Sequence, residues 1–436
     1  MIVSTGLACS ILVGGFILLV ILRVPVAFAL GIATVPIVLM DLRLTPFIIL
    51  DRMFQSYNSF ILLAVPFFLL AANLMNSGKI TDKLIDLARV LTGWMPGGLG
   101  HVNVAVSMLF AGISGSSTAD AAGCGKILIP AMVKEGYDTR FAIALTACSS
   151  VMGVIIPPSI LMIVWGGVMQ TSVGALFLAG ATPGLMIGFA LMATVYGYAK
   201  VYGYPTIGAP TLCDIWKAFR GAALALLTPV LVVGGIVGGI VTPTESAIIA
   251  AGYSLILGMF VYRTISVKDL GHIFYDTGRF ASISLFAIGT ASAFGWLLAF
   301  YNVPRLIVDM MTALDFGPFG TALVIAGLFL FFGLFIDAIP TIIILGTVLL
   351  PVANAAGIDP VVFAIIGIIS LSFGLVTPPY GLCLLISASI GGMNVAQVMR
   401  DVAIILVPML IILLLVILFP EIALWLPKLL MPSTFH

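Results

Sequence analysis

The chain has 436 residues, of which 62% are hydrophobic and 8% charged, and its formal net charge is +1; its mean hydropathy is +1.27. Soluble domains carry roughly 25% charged residues, so this composition excludes a water-soluble globular protein, and the balanced charge gives no basic footprint for nucleic acid. Cys9, Cys124, Cys148, Cys213 and Cys383 form no CxxC pair, and His101, His272 and His436 are scattered, which argues against a disulfide framework or a transition-metal centre.

Taken in chain order, apolar stretches of about 17 to 25 residues bounded by charges give the signal of helical spans. They lie at 3–22, 24–40, 59–76, 141–168, 175–198, 221–241, 245–262, 281–300, 361–390 and 402–420. No basic residue precedes Arg23, so the first is read as a retained span and not a cleaved signal peptide. Residues 97–133 and 318–352 are each long enough to enter the membrane and return. Their midpoints carry Gly115-Ser116-Ser117-Thr118-Ala119-Asp120 and Asp337-Ala338-Ile339-Pro340. Both are read as re-entrant hairpins, because backbone leaves a helix at membrane depth only where protein or a wet cavity satisfies it.

One pattern ties the two halves together. Gly112, Gly125, Pro130, Gly136, Asp138, Gly153 and Pro157-Pro158 return, each 221 positions later (333 − 112 for the first), as Gly333, Gly346, Pro351, Gly357, Asp359, Gly374 and Pro378-Pro379. Basic residues cluster in the loops 77–96 (Lys79, Lys83, Arg89), 134–140 (Lys134, Arg140), 200–220 (Lys200, Lys217, Arg220) and 263–280 (Arg263, Lys268, Arg279), and at Arg400. The counterpart of 134–140, residues 355–361, has none, and the counterpart of 77–96 retains Arg305 beside Asp309 and Asp315. Positive loops face the cytoplasm, so equivalent loops face opposite sides and the repeat is inverted. The expected fold is an all-α polytopic membrane protein: repeat one over 1–210, repeat two over 211–400, and a C-terminal helix and tail over 401–436. Each repeat holds one hairpin and one discontinuous helix (141–168, 361–390). Both termini are placed outside, with the first hairpin opening from the cytoplasm.

Chemistry concentrates at the breaks. Residues 112–120 hold four hydroxyls, including those of Ser114, Ser116, Ser117 and Thr118, with Gly115 and the carboxylate of Asp120. An intramembrane carboxylate is a functional candidate; hydroxyl and carbonyl oxygens suit a hard cation, and helix N-termini suit an anionic substrate. A packing face of small residues also accounts for Gly and Ser, but not for Asp120. Whether Asp120 binds an ion, the substrate or neither stays open at this point. Ser149, Ser150, Gly153, Pro157 and Pro158 interrupt one span, and Gly374, Thr377, Pro378, Pro379 and Gly381 interrupt its counterpart. Successive prolines remove backbone donors and free carbonyls a turn earlier. Asp337, with Thr341 one turn on, stands among Phe331, Phe332, Phe335 and Ile336, where sodium coordination and proton carriage both fit. Its strict repeat counterpart is Ser116 and not Asp120, so two related but unequal sites are expected.

Pro25, Pro243 and Glu245 read as helix starts and a cap. Lys126 follows Gly125, but Asp120 and Ile127 stand where a phosphate loop needs Gly and Ser or Thr, so no ATP chemistry is expected. Ser114 lacks the flanking glycines of a nucleophile elbow, and no enzyme is expected.

The segments PFFLLAANLMNSG (66–78), PGGLGHVNV (96–104), GISGSSTADAA (112–122), IIPPSI (155–160), ALFLAGATPGLM (175–186), TPTESA (242–247), AGIDP (356–360) and GLVTPPYG (374–381) resemble the large membrane subunit of TRAP (tripartite ATP-independent periplasmic) transporters, and the resemblance runs over essentially the whole chain. It implies a sodium-driven importer of an organic acid, such as sialic acid or a C4-dicarboxylate, in the bacterial inner membrane. It also implies a periplasmic substrate-binding protein, a separate small four-helix membrane subunit and an elevator-type transport domain on a scaffold. Carried over, Ser114, Gly115 and Ser116 with Ser149, Ser150, Gly153 and Pro157-Pro158 would hold one sodium ion. Asp337, Thr341, Gly374, Thr377 and Gly381 would hold a second. Ser116, Ser117 and Thr118, with Asp120, Pro158 and Pro379, would face the substrate. Asn73 stands where the family often has Glu, and 300–303 lacks the charge often found there. A stand-alone divalent-anion/sodium symporter and an ion channel are the alternative readings.

Overall fold

The computed structural model describes residues 3–432 apart from 79, 315 and 380, and over these the chain is helical, joined by turns and short irregular links. Lys79, Asp315 and His436 lie outside the described residues. The first half runs α1 (Thr5–Ile21), α2 (Val26–Met40), α3 (Phe47–Tyr57), α4 (Ala64–Ser77), α5 (Ile80–Thr92), α6 (Gly98–Ser114), α7 (Ser117–Lys134), α8 (Thr139–Ser150), α9 (Ile160–Met169) and α10 (Val173–Tyr202). The second runs α11 (Leu212–Val237), α12 (Pro243–Ile256, extended by a π turn to Val261), α13 (Val267–Phe300), α14 (Val303–Leu314), α15 (Gly317–Gly333), α16 (Ala338–Ala355), α17 (Pro360–Gly374), α18 (Leu382–Gly391), α19 (Val395–Leu418) and α20 (Glu421–Leu430).

Among the described residues six helices (α10, α11, α12, α13, α16 and α19) are long and apolar enough to cross a bilayer, and α3 with α4 would make a seventh, bent by 70°. The expected hairpins are the pairs α6–α7 and α15–α16, and the expected broken spans are α8–α9 and α17–α18. Pro25 and Pro243 sit at helix starts. Four helices escaped the search for apolar runs. α5 and α14 are amphipathic, α3 carries Asp51 and Arg52, and α20 lies in what reads as a tail. A span search detects mean hydropathy, whereas a surface helix shows itself only through its 3.6-residue period.

Packing interlocks the halves. α4 lies against α12 as α13 lies against α2, α9 against α16 as α18 against α7, and α10 against α17 as α19 against α8. At the centre, Trp165 of α9 is fully buried between Phe329 of α15 and Phe363 of α17. Gly367 makes room for it, since a Cβ there would stand 2.7 Å from the indole. Large buried aromatics of this kind supply much of the packing energy of a core.

Candidate functional site

The first hairpin breaks where its residues require. Gly115 takes φ +62, the left-handed conformation that ends a helix. Ser116 Oγ then accepts the Ala119 N–H (3.4 Å) and starts α7. The tip docks on the break of the neighbouring span: Ile160 N–H donates to Gly115 O (3.2 Å). A Cβ at Gly115 would stand 2.9 Å from Pro158 O. Pro157 and Pro158 are buried there, and Ser159 caps α9 by accepting the Met162 N–H (3.3 Å).

Asp120, in the first turn of α7, is completely buried. Ser114 Oγ donates to its Oδ1 (2.5 Å), while Oδ2 has no hydrogen-bond partner among the described residues. That oxygen lies against Gly153, where an added Cβ would come within 2.5 Å of it. The structure therefore joins Asp120, Ser114, Gly115, Gly153 and Pro158 in one place. Ser116 Oγ and Thr118 Oγ1, 3.1 Å apart, remain partly exposed beside it. An unpaired buried carboxylate oxygen is costly unless a cation or donor completes it.

Ser149 and Ser150 belong to the surroundings of this place. Ser149 accepts from Ser107 (2.9 Å) and donates to Asn103 Oδ1 (3.3 Å), while Asn103 Nδ2 donates to Thr146 (2.6 Å). This buried network locks α6 to α8. Ser150 Oγ donates to Ala147 O (2.7 Å) and, with Ser117, meets the thiol of Cys383 on α18. Cys383 also lies within electrostatic range of both Asp120 and Asp337. Sequence reading passed over Asn103, Ser107, Thr146 and Cys383. Their signal, polar or small groups on the buried face of a hairpin arm or broken span, becomes visible only once the helices are paired.

The second unit is more open. Asp337 takes an extended backbone (φ −61, ψ 151) ahead of α16 and forms no capping side-chain bond, with the Ala338 N–H beside it. It is partly exposed. Thr341 Oγ1 donates to the backbone oxygen of Asp337 (2.8 Å), and Thr377 Oγ1 donates to Phe373 O (2.8 Å). Each hydroxyl keeps acceptor capacity. Gly374 rests on the hairpin backbone, where a Cβ would stand 2.5 Å from the Gly333 carbonyl carbon. Gly381 starts α18 at φ +38. Pro378 is half-buried and Pro379 exposed.

Among the described residues no three His, Cys, Asp or Glu side chains converge, so any cation held at either unit meets hydroxyl and carbonyl oxygens around a single carboxylate, a hard-ion donor set. Glu245 closes a capping box with Thr242, as its position suggested. Asn73 donates to Thr277 of α13 (2.9 Å), and Lys126 is exposed on α7. Outside the spans, Arg140 beside Asp138 (2.7 Å) holds that carboxyl below its usual range.

A profile of the family described as "Tripartite ATP-independent periplasmic transporter, DctM component" matches residues 13–422. The sialic acid TRAP transporter large permease protein SiaM of Vibrio cholerae is 40% identical over 87% of this chain and 89% of its own length. The C4-dicarboxylate TRAP transporter large permease protein DctM of Pseudomonas aeruginosa is 35% identical over 86% and 88%. Among solved structures, the Alcanivorax borkumensis YdaH transporter shares the fold with a TM-score of 0.59 at 15% identity, over 85% of this chain and 87% of that one.

Proposed function

The chain belongs to the DctM component family of tripartite ATP-independent periplasmic transporters, and from that premise we propose that it imports an organic acid coupled to sodium. It is a large membrane subunit of the inner membrane and a permease rather than an enzyme. Relatives are named for sialic acid, C4-dicarboxylates and 2,3-diketo-L-gulonate, and their shared chemistry supports an anionic organic acid as cargo. A periplasmic binding protein would deliver it, and a small membrane subunit would pack on the scaffold.

The observation that carries the reading is the pair of hairpin–break units with one carboxylate each, the first having Asp120 Oδ2 without a hydrogen-bond partner among the described residues. In this reading Ser114, Gly115, Ser116, Ser149, Ser150, Gly153 and Pro157 surround one sodium ion. Asp337, Thr341, Gly374, Thr377 and Gly381 surround the other. Ser116, Ser117 and Thr118, with Asp120, Pro158 and Pro379, face the acid between them. The halves 1–210 and 211–400 are inverted repeats, both termini are periplasmic, and the hairpins with their broken spans move as an elevator against α1–α4 and α11–α13. Uptake of labelled organic acid by proteoliposomes holding both membrane subunits tests this. It should require binding protein outside and an inward sodium gradient. Uptake unchanged without binding protein would favour a stand-alone symporter, and single-channel currents would favour a pore.

A further inference from the structure

At two places the scaffold hands over to a short amphipathic helix that leads into a hairpin: α4 to α5, and α13 to α14. In each case the residue that grips the joint comes from just beyond the neighbouring scaffold helix of the other half. Thr264, past α12, donates its hydroxyl to Gly78 O at the first joint (2.7 Å). At the second, Tyr301 donates its hydroxyl to Asp41 Oδ2, past α2 (2.7 Å). The positions correspond, since 264 − 41 and 301 − 78 both give 223. The crossover is the same, but its chemistry differs.

Among the described residues the first joint has neutral hydrogen bonds: that of Thr264, and one from Thr81 Oγ1 of α5 to Asn76 Oδ1 of α4 (3.5 Å). The second is an ionic knot. Asp41 is 1% exposed and accepts from Arg43 N (3.0 Å), Arg43 Nε (3.0 Å), Arg43 Nη2 (2.6 Å), Tyr301 Oη and Val3 N (3.4 Å). Arg43 also donates to Val3 O (3.2 Å), and its guanidinium lies over the rings of Phe300 (5.3 Å) and Tyr301 (5.6 Å). Charge-assisted, multiply held contacts of this kind fix geometry better than a single neutral bond. Directly after the knot, Asn302 turns the chain at φ +56, and α14 then packs on α16, the hairpin arm that Asp337 begins.

We propose that Asp41, Arg43 and Tyr301 are positioning residues that fix the pivot from which α14 holds the second hairpin, while Thr264 and Gly78 form a looser pivot for the first. The proposal rests on the reading that hairpins move against the scaffold. Removing the Tyr301 hydroxyl frees the angle at which α14 leaves α13 without touching the residues around Asp337. The second half-site would then be delivered to the wrong place more often, and turnover would fall while sodium affinity would not.

The test uses the full chain with its small subunit in liposomes. Probes are placed at exposed Met310 of α14 and exposed Leu39 of α2, with the exposed Cys213 changed to Ser. Tyr301→Phe and Asp41→Asn should each widen the inter-probe distance distribution about twofold, and Thr264→Val should leave it as narrow as in the unaltered protein. Tyr301→Phe should slow uptake at an unchanged half-saturating sodium concentration. An unwidened distribution in Tyr301→Phe overturns the pivot, as does equal widening by Thr264→Val. The distance readout needs no sodium, so a failure of sodium to drive uptake in the unaltered protein would strike the transport reading and leave the pivot to be judged on its own.

Discussion

The first hairpin closes on a carboxylate that is wholly inside and already held by Ser114, whereas the second presents one that is partly exposed and, among the described residues, has no side-chain hydrogen-bond partner. The breaks beside them differ in the same sense, with Pro157 and Pro158 buried and Pro379 exposed. The two units are thus a packed one and an open one. In the proposed reading, the difference teaches that Asp120 would carry structure and function together, while Asp337 would be free to serve function alone.

Asparagine substitutions should separate the two roles most strongly. Asp337→Asn and Asp120→Asn should each lower sodium-driven uptake about tenfold or more, the loss of about 1.4 kcal/mol or more of ion-dependent free energy. Thermal unfolding should then divide them. Asp337→Asn keeps the midpoint of the unaltered protein, whereas Asp120→Asn lowers it, because Ser114 and the Gly153 face are fitted to a carboxylate. Equal midpoints would erase the comparison.

The glycines sharpen it. Gly153→Ala and Gly374→Ala both force a Cβ into a 2.5 Å approach and should cost about 1 to 3 kcal/mol of stability each by overpacking. Only Gly153→Ala pushes directly on a carboxylate oxygen. Sodium half-saturation should therefore rise in Gly153→Ala far more than in Gly374→Ala, measured by uptake at stepped sodium concentrations. A comparable loss of stability is expected from Ser114→Ala, which strips Asp120 of its side-chain donor at about 1.5 to 3 kcal/mol. Thr341→Val should cost less, since Thr341 donates to a backbone oxygen and not to Asp337's carboxylate.

The smallest expected effect concerns the two joints and pH. Arg43 beside it holds the Asp41 carboxyl well below its ordinary value of 3.8. A carboxyl lowered on folding contributes stability above its ordinary value and loses it only as pH falls through the lower folded one. The distance between α14 and α2 should therefore not change between about pH 5 and about pH 8. A change in that window would mean that the knot does not set the joint.

Much of this was legible in the sequence. Gly, Pro and Asp at a constant spacing mark helix ends, because few other residues make or tolerate such ends, so both hairpins and both broken spans emerged with boundaries close to those found. Composition can reveal apolar spans, but not the amphipathic α5 and α14, whose apolar residues are interleaved with charged ones. The site divides the same way. Asp120, Ser114, Gly115, Gly153 and Pro158 do meet, as motif residues at chain breaks should. Sequence distance hid the Asn103–Thr146–Ser149 network, the meeting of Cys383 with Ser117 and Ser150, and the knot of Asp41 with Tyr301. Each joins side chains from helices that only the folded chain brings together.

Sodium flux tests the central claim most directly. Proteoliposomes containing both membrane subunits and given binding protein and organic acid outside should accumulate radiolabelled sodium together with the acid. The accumulation should be lost in Asp337→Asn and absent without the acid. Acid accumulation with no accompanying sodium would contradict the account.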